Sequence, residues 1–73
     1  MKVIWAAEDI TVGTVVGKPG IGERWLIGYF SYYQEDERYT LISLSDGMIQ
    51  TRSNKEGLAD RLTQSGLLPA ALL

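Results

Sequence analysis

Arg24-Trp25-Leu26-Ile27-Gly28-Tyr29-Phe30-Ser31-Tyr32-Tyr33 is the stretch that decides the fold: it is rich in aromatic and branched side chains, free of proline, and reads as the longest strand of a small sheet. The acidic Gln34-Glu35-Asp36-Glu37 that follows reads as a solvated turn, and Arg38 to Ser45 as the returning strand. Asp46-Gly47 is the strongest hairpin signal, because both central positions of such a turn favour positive φ. It predicts that Ser45 pairs with Met48 and leads into a short strand from Met48 to Thr51. The outcome is a three-stranded antiparallel meander.

Counting outward from those two turns sets the register. Tyr33 then faces Arg38, Tyr29 meets Ile42, Ile27 meets Leu44, and Leu44 meets Ile49. This collects Trp25, Ile27, Tyr29, Ile42, Leu44 and Ile49 on a core side. The opposite side carries Leu26, Phe30, Tyr32, Tyr39 and Leu41, with Arg52 opposite Leu41. Both sides are largely apolar, whereas an antiparallel sheet with one wet face alternates apolar with polar residues. Each side therefore requires a cover.

Outside the meander, Val3 to Ala7 is a short apolar run suited to a buried strand, and Ile10 to Val16 reads as a second strand with a bulge or bend at Gly13. Gly17-Lys18-Pro19-Gly20-Ile21-Gly22 concentrates turn formers, with Pro19 presetting φ and Gly20 free to take the positive φ of a type II turn. After the meander, Ser53-Asn54-Lys55-Glu56 fits a capping box with Ser53 as N-cap. Gly66 suits C′ of a Schellman ending, in which Leu67 lies against Leu62, and Pro69 blocks continuation. These signals bound a helix over 54–65 with a narrow inward stripe of Leu58, Ala59 and Leu62, followed by an apolar tail over 67–73. Gly57 suits close approach to a strand.

The fold expected is a single α+β domain over 1–73, mainly β. It is either a small SH3-like barrel or an antiparallel meander of about five short strands (3–7, 10–16, 24–33, 38–45 and 48–51) with one C-terminal helix. The order of short strands, the glycine-punctuated Ile10-Thr11-Val12-Gly13-Thr14-Val15-Val16 and the terminal helix make Ile10 to Thr51 similar to the small SH3-like barrels. That resemblance is architectural. It implies that the first two strands fold over the meander, and it transfers no binding residues.

The chain has 73 residues, too few for two cores, and its 45% hydrophobic and 22% charged residues with a mean hydropathy of −0.03 are those of an ordinary globule. It contains no His and no Cys. Imidazole bases, thiol nucleophiles, disulfides and the usual zinc ligands are thus excluded, and a domain of this size lacks a staple. Unusually dense packing or oligomerisation are the remaining routes to added stability, and a homo-oligomer is the one expected. The balance of 7 basic and 9 acidic residues, a net charge of −2, argues against a phosphate-binding domain. Gly13 to Lys18 falls one residue short of a Walker loop, with Pro19 where the magnesium-binding Ser or Thr belongs, and Gly20-Ile21-Gly22 lacks the third glycine of a dinucleotide fingerprint.

Glu35, Asp36 and Glu37 are the densest carboxylates and read as a solvated turn rather than an acid/base pair or cation site. Ser43, Ser45 and Asp46 have no histidine to activate them. The expectation is a non-enzyme with no catalytic, cofactor or metal site. The apolar start of the chain is too short for a signal peptide and no run is long enough to span a membrane, so a cytoplasmic protein with no membrane partner is expected.

The functional reading is a homodimeric protein-interaction module, accessory or inhibitory to a larger process, with Phe30, Tyr32, Tyr39, Leu41 and Arg52 as its surface and an unidentified protein as partner. Leu67, Leu68, Leu72 and Leu73 are the candidate oligomer contacts, since an apolar tail is costly to leave in water. The alternative is a surface on which Tyr32, Tyr39 and Arg52 stack a nucleotide or single-stranded nucleic acid.

Overall fold

In the computed structural model, residues 3–32 and 36–73 are described, without the side chains of residues 31, 32, 36, 37 and 52. Five strands form one antiparallel sheet: β1 Val15–Gly17, β2 Arg24–Tyr32, β3 Asp36–Ser43, β4 Ile49–Ser53 and β5 Leu68–Pro69. Their order is β4-β3-β2-β1-β5, so the sheet is open, with β4 and β5 at its edges. Of the two expected architectures, the chain adopts the open meander and not the SH3-like barrel. The helix α1, Lys55–Gln64, packs on β3 and β4 and against a 3-10 helix at Ala7–Asp9. The principal extents of 39 × 26 × 17 Å suit one sheet layer and one helix layer.

Five strands were expected, but they are not the same five. Val3 to Ala7 forms no strand, because Trp5 is committed to the helix end: its main-chain N–H donates to Thr63 Oγ1 at 2.9 Å and its indole to the Leu67 carbonyl at 2.8 Å. Ile10 to Val16 contributes only the short β1. There Gly13 (φ 95°) closes a turn from Thr11 to Thr14, and Gly13 and Thr14 together oppose Ile27, a bulge that delays the ladder to Val15. The missing strand comes from the tail, where Leu68 pairs with Gly17 and Pro69 with Val16.

The register of the central hairpin also differs. Tyr32 pairs with Asp36, so Asp36 and Glu37 belong to β3 rather than to a turn, and the connection is confined to residues 33–35, outside the described residues. Tyr29 therefore faces Tyr39, and Ile27 faces Leu41. Against the expected pairing this is a shift of three positions, an odd number, which exchanges the faces that the two strands bring together. Burial explains the choice: Ile27, Tyr39 and Leu41 now share one face, where Leu58, Ala59 and Leu62 of the helix cover them. The expected core of Ile42, Leu44 and Ile49 is not assembled; Leu44 is 52% exposed and Ile49 45%.

The second turn is a longer loop than Asp46-Gly47 predicted. Ser43 N–H donates to Met48, Gly47 (φ 73°) donates back to Ser43, and Ser45 does not pair with Met48. The Asp46 carboxylate accepts from the Met48 amide at 2.9 Å, a local bond that competes with the tight hairpin. The helix start moves by one residue, since Asn54 rather than Ser53 is the N-cap, accepting from Gly57 N–H at 2.8 Å. The helix end follows the sequence: Gly66 (φ 71°) donates to Thr63 and Leu67 donates to Leu62, the two bonds of a Schellman motif. The turn at Lys18-Pro19-Gly20-Ile21 also forms as expected, with Gly20 at φ 77°.

Candidate functional site

Directly paired residues share a face of a sheet. The face under the helix carries Val16, Trp25, Ile27, Tyr29, Tyr39, Leu41 and Ser43. Among the described residues, the far face has no α-helix on it. Across it Val15 pairs with Leu26, Leu26 with Ile42, and Ile42 with Ile49, which lays one transverse row of aliphatic side chains over four strands. Val15, Leu26 and Ile42 are half-buried and Ile49 is exposed. An irregularity between Leu41 and Ile42, where Gln50 is the extra residue of β4, is what brings Ile49 opposite Ile42.

The neighbouring row consists of Gly28 and Thr40, with Arg52 next in register. A Cβ on Gly28 would stand 2.9 Å from Ile42 Cδ1 and 3.0 Å from Thr40 Oγ1, so the missing side chain leaves the space that these two side chains approach. Phe30, opposite Arg38, extends the apolar area and is 39% exposed.

The five residues expected to form one interaction surface are thus divided. Phe30 lies on the far face. Tyr39 and Leu41 lie on the helix face, 8% and 4% exposed, and belong to the core. The Tyr39 ring meets Tyr29 edge-on at 5.2 Å, and Lys55 Nζ stands 5.5 Å from its centroid. Tyr32 and Arg52 keep their places in the ladder, but their side chains are outside the described residues, as are Glu35 and the side chains of Asp36 and Glu37. A platform uniting Tyr39 with Phe30 is not assembled, because the two project from opposite faces.

The tail divides as well. Leu67 and Leu68 are 4% and 3% exposed within their own chain, so they are core rather than oligomer contacts; Leu72 and Leu73 remain at the surface. The row Val15, Leu26, Ile42 and Ile49 is the feature that sequence reasoning missed. Its signal was present, because apolar residues alternate on both faces of the central strands, but the turn lengths hid which ones align.

Comparison with known protein families, curated proteins and solved structures finds no match. No helix of the described residues is long and apolar enough to cross a membrane.

Proposed function

We propose that the chain is a non-catalytic interaction module that pairs with a second copy through the far face of its sheet, and that the pair serves as an accessory or inhibitory protein. The observation that carries this reading is the aliphatic row Val15, Leu26, Ile42 and Ile49, extended by Phe30, on a face with no α-helix against it among the described residues. Two such faces stacked about a twofold axis would interdigitate as the layers of a β-sandwich do, about 10 Å apart. A second copy is the occupant favoured because this small chain has no disulfide to stabilise it and because the row is built of neutral side chains able to meet their own kind.

Sedimentation equilibrium over a dilution series tests the pairing. A dimer is expected for the parent chain, and Ile49→Lys, at an exposed position on the row, is expected to weaken it at least tenfold while leaving the circular dichroism spectrum unchanged. A folded monomer at every concentration, or a dimer indifferent to Ile49→Lys, overturns the assignment.

A further inference from the structure

On the helix side of the sheet, away from the aliphatic row, lies a cleft of about 140 Å³. Its apolar walls are Trp25 and Leu41 from the sheet and Leu67 from the segment after the helix. Around these stand Lys18 from the turn after β1, Gln50 from the irregular start of β4, and Arg61 and Ser65 from the end of α1. Among the described residues, no carboxylate lines it. The chain as a whole carries a net charge of −2, so two cations on one small cleft run against its overall balance.

None of the polar side-chain groups of Lys18, Trp25, Gln50, Arg61 and Ser65 has a hydrogen-bonding or ionic partner among the described residues. The neighbouring Arg24 is otherwise engaged, donating to the carbonyls of Ile21 and Glu23. That bracing holds the turn in which Ile21 N–H donates to the Lys18 carbonyl. The lining is therefore rich in donors, doubly cationic and apolar along Trp25, Leu41 and Leu67.

We propose that this cleft binds a small organic carboxylate with a flat apolar body. The guanidinium of Arg61 offers the paired donors that suit a carboxylate, and Lys18 adds a second charge. A fully hydrated inorganic anion would leave the indole and the leucines without a partner. A neutral ring would leave both cations without one. The volume suits a single six-membered ring, since an apolar cavity of about 150 Å³ accepts benzene. This inference does not depend on self-association, because the two features lie on opposite faces.

The experiment is a titration of the ¹⁵N-labelled full chain with benzoate, benzyl alcohol and inorganic phosphate, following the Trp25 indole N–H, whose resonance is identified by its loss in Trp25→Phe. Benzoate is expected to give a saturable shift with a Kd on the order of 1 mM, suited to so small a ligand. Benzyl alcohol and phosphate are each expected to bind at least tenfold more weakly. Arg61→Gln, at an exposed position, and Lys18→Gln are each expected to weaken benzoate about tenfold with the rest of the spectrum unchanged. No saturable shift up to the solubility limit of benzoate overturns the proposal. Equal binding of the alcohol or of phosphate, or unchanged benzoate affinity in both variants, does so too.

Discussion

The indole N–H of Trp5 donates to the main-chain oxygen of Leu67 over 2.8 Å, a buried bond between residues 62 apart in sequence. It fastens the first segment of the chain to the turn that ends the helix. Trp5→Phe keeps most of the apolar volume but leaves that carbonyl without its donor, and should destabilise the fold by about 1–2 kcal/mol. Trp5→Ala also opens a cavity and should cost about 3–5 kcal/mol. Urea unfolding of both variants, compared by midpoint at constant m, measures the two terms.

Gly28 lies between Ile42 and Thr40 on the far face, where an added Cβ would come within 2.9 Å of Ile42 Cδ1 and 3.0 Å of Thr40 Oγ1. Thr40 is 2% exposed and β-branched, so it has little room to give way. Gly28→Ala should lose about 1 kcal/mol despite the better strand propensity of alanine. Ile42→Val removes the closer obstacle, so the double variant should recover part of the loss, and a double-mutant cycle reads that coupling.

Ser53 Oγ is buried and, among the described residues, has no hydrogen-bond partner. Ser53→Ala should therefore be neutral or stabilising, by up to about 1 kcal/mol. Asn54→Ala, which removes the bond to Gly57 N–H, should destabilise by about 1 kcal/mol. Thermal unfolding of the pair distinguishes the true cap from its neighbour, because a capping role for Ser53 requires the opposite order.

Gly66 ends the helix at φ 71°, a conformation that a side chain strains. Gly66→Ala should cost about 1–2 kcal/mol, whereas the exposed Gln64→Ala, at the last helical residue, should change stability by less than about 0.5 kcal/mol. Equal midpoints in denaturant would contradict the left-handed cap.

Tyr39 and Phe30 offer a direct test of the register. Tyr39 is core, so Tyr39→Ala should destabilise by about 3 kcal/mol, while Phe30→Ala, on the exposed face, should lose less than half as much at low protein concentration. Had the strands paired as their turn signals suggest, both rings would share one surface and the two losses would be alike.

The features legible in the sequence were those specified locally. The Schellman ending at Gly66 and Leu67, the turn at Pro19-Gly20 and the inward stripe of Leu58, Ala59 and Leu62 each depend on a few adjacent residues, and all of them form. The register was not local. It was counted from two turns, and each differs: Asp36 and Glu37 extend a strand in spite of their poor propensity, and Asp46 binds the Met48 amide instead of closing a tight hairpin. One odd shift was enough to move Tyr39 and Leu41 into the core and to free Ile42 and Ile49 for the opposite face. The role of Trp5 was hidden for a different reason, since an apolar pentapeptide reads the same whether it joins a sheet or anchors on a helix end.

The two margins of the sheet are unequal. β5 is only two residues long and one of them is proline, which has no N–H to offer, while β4 runs for five. Lateral growth of the sheet by adding strands is thus blocked on one side. β4 is therefore the margin along which a further strand could add.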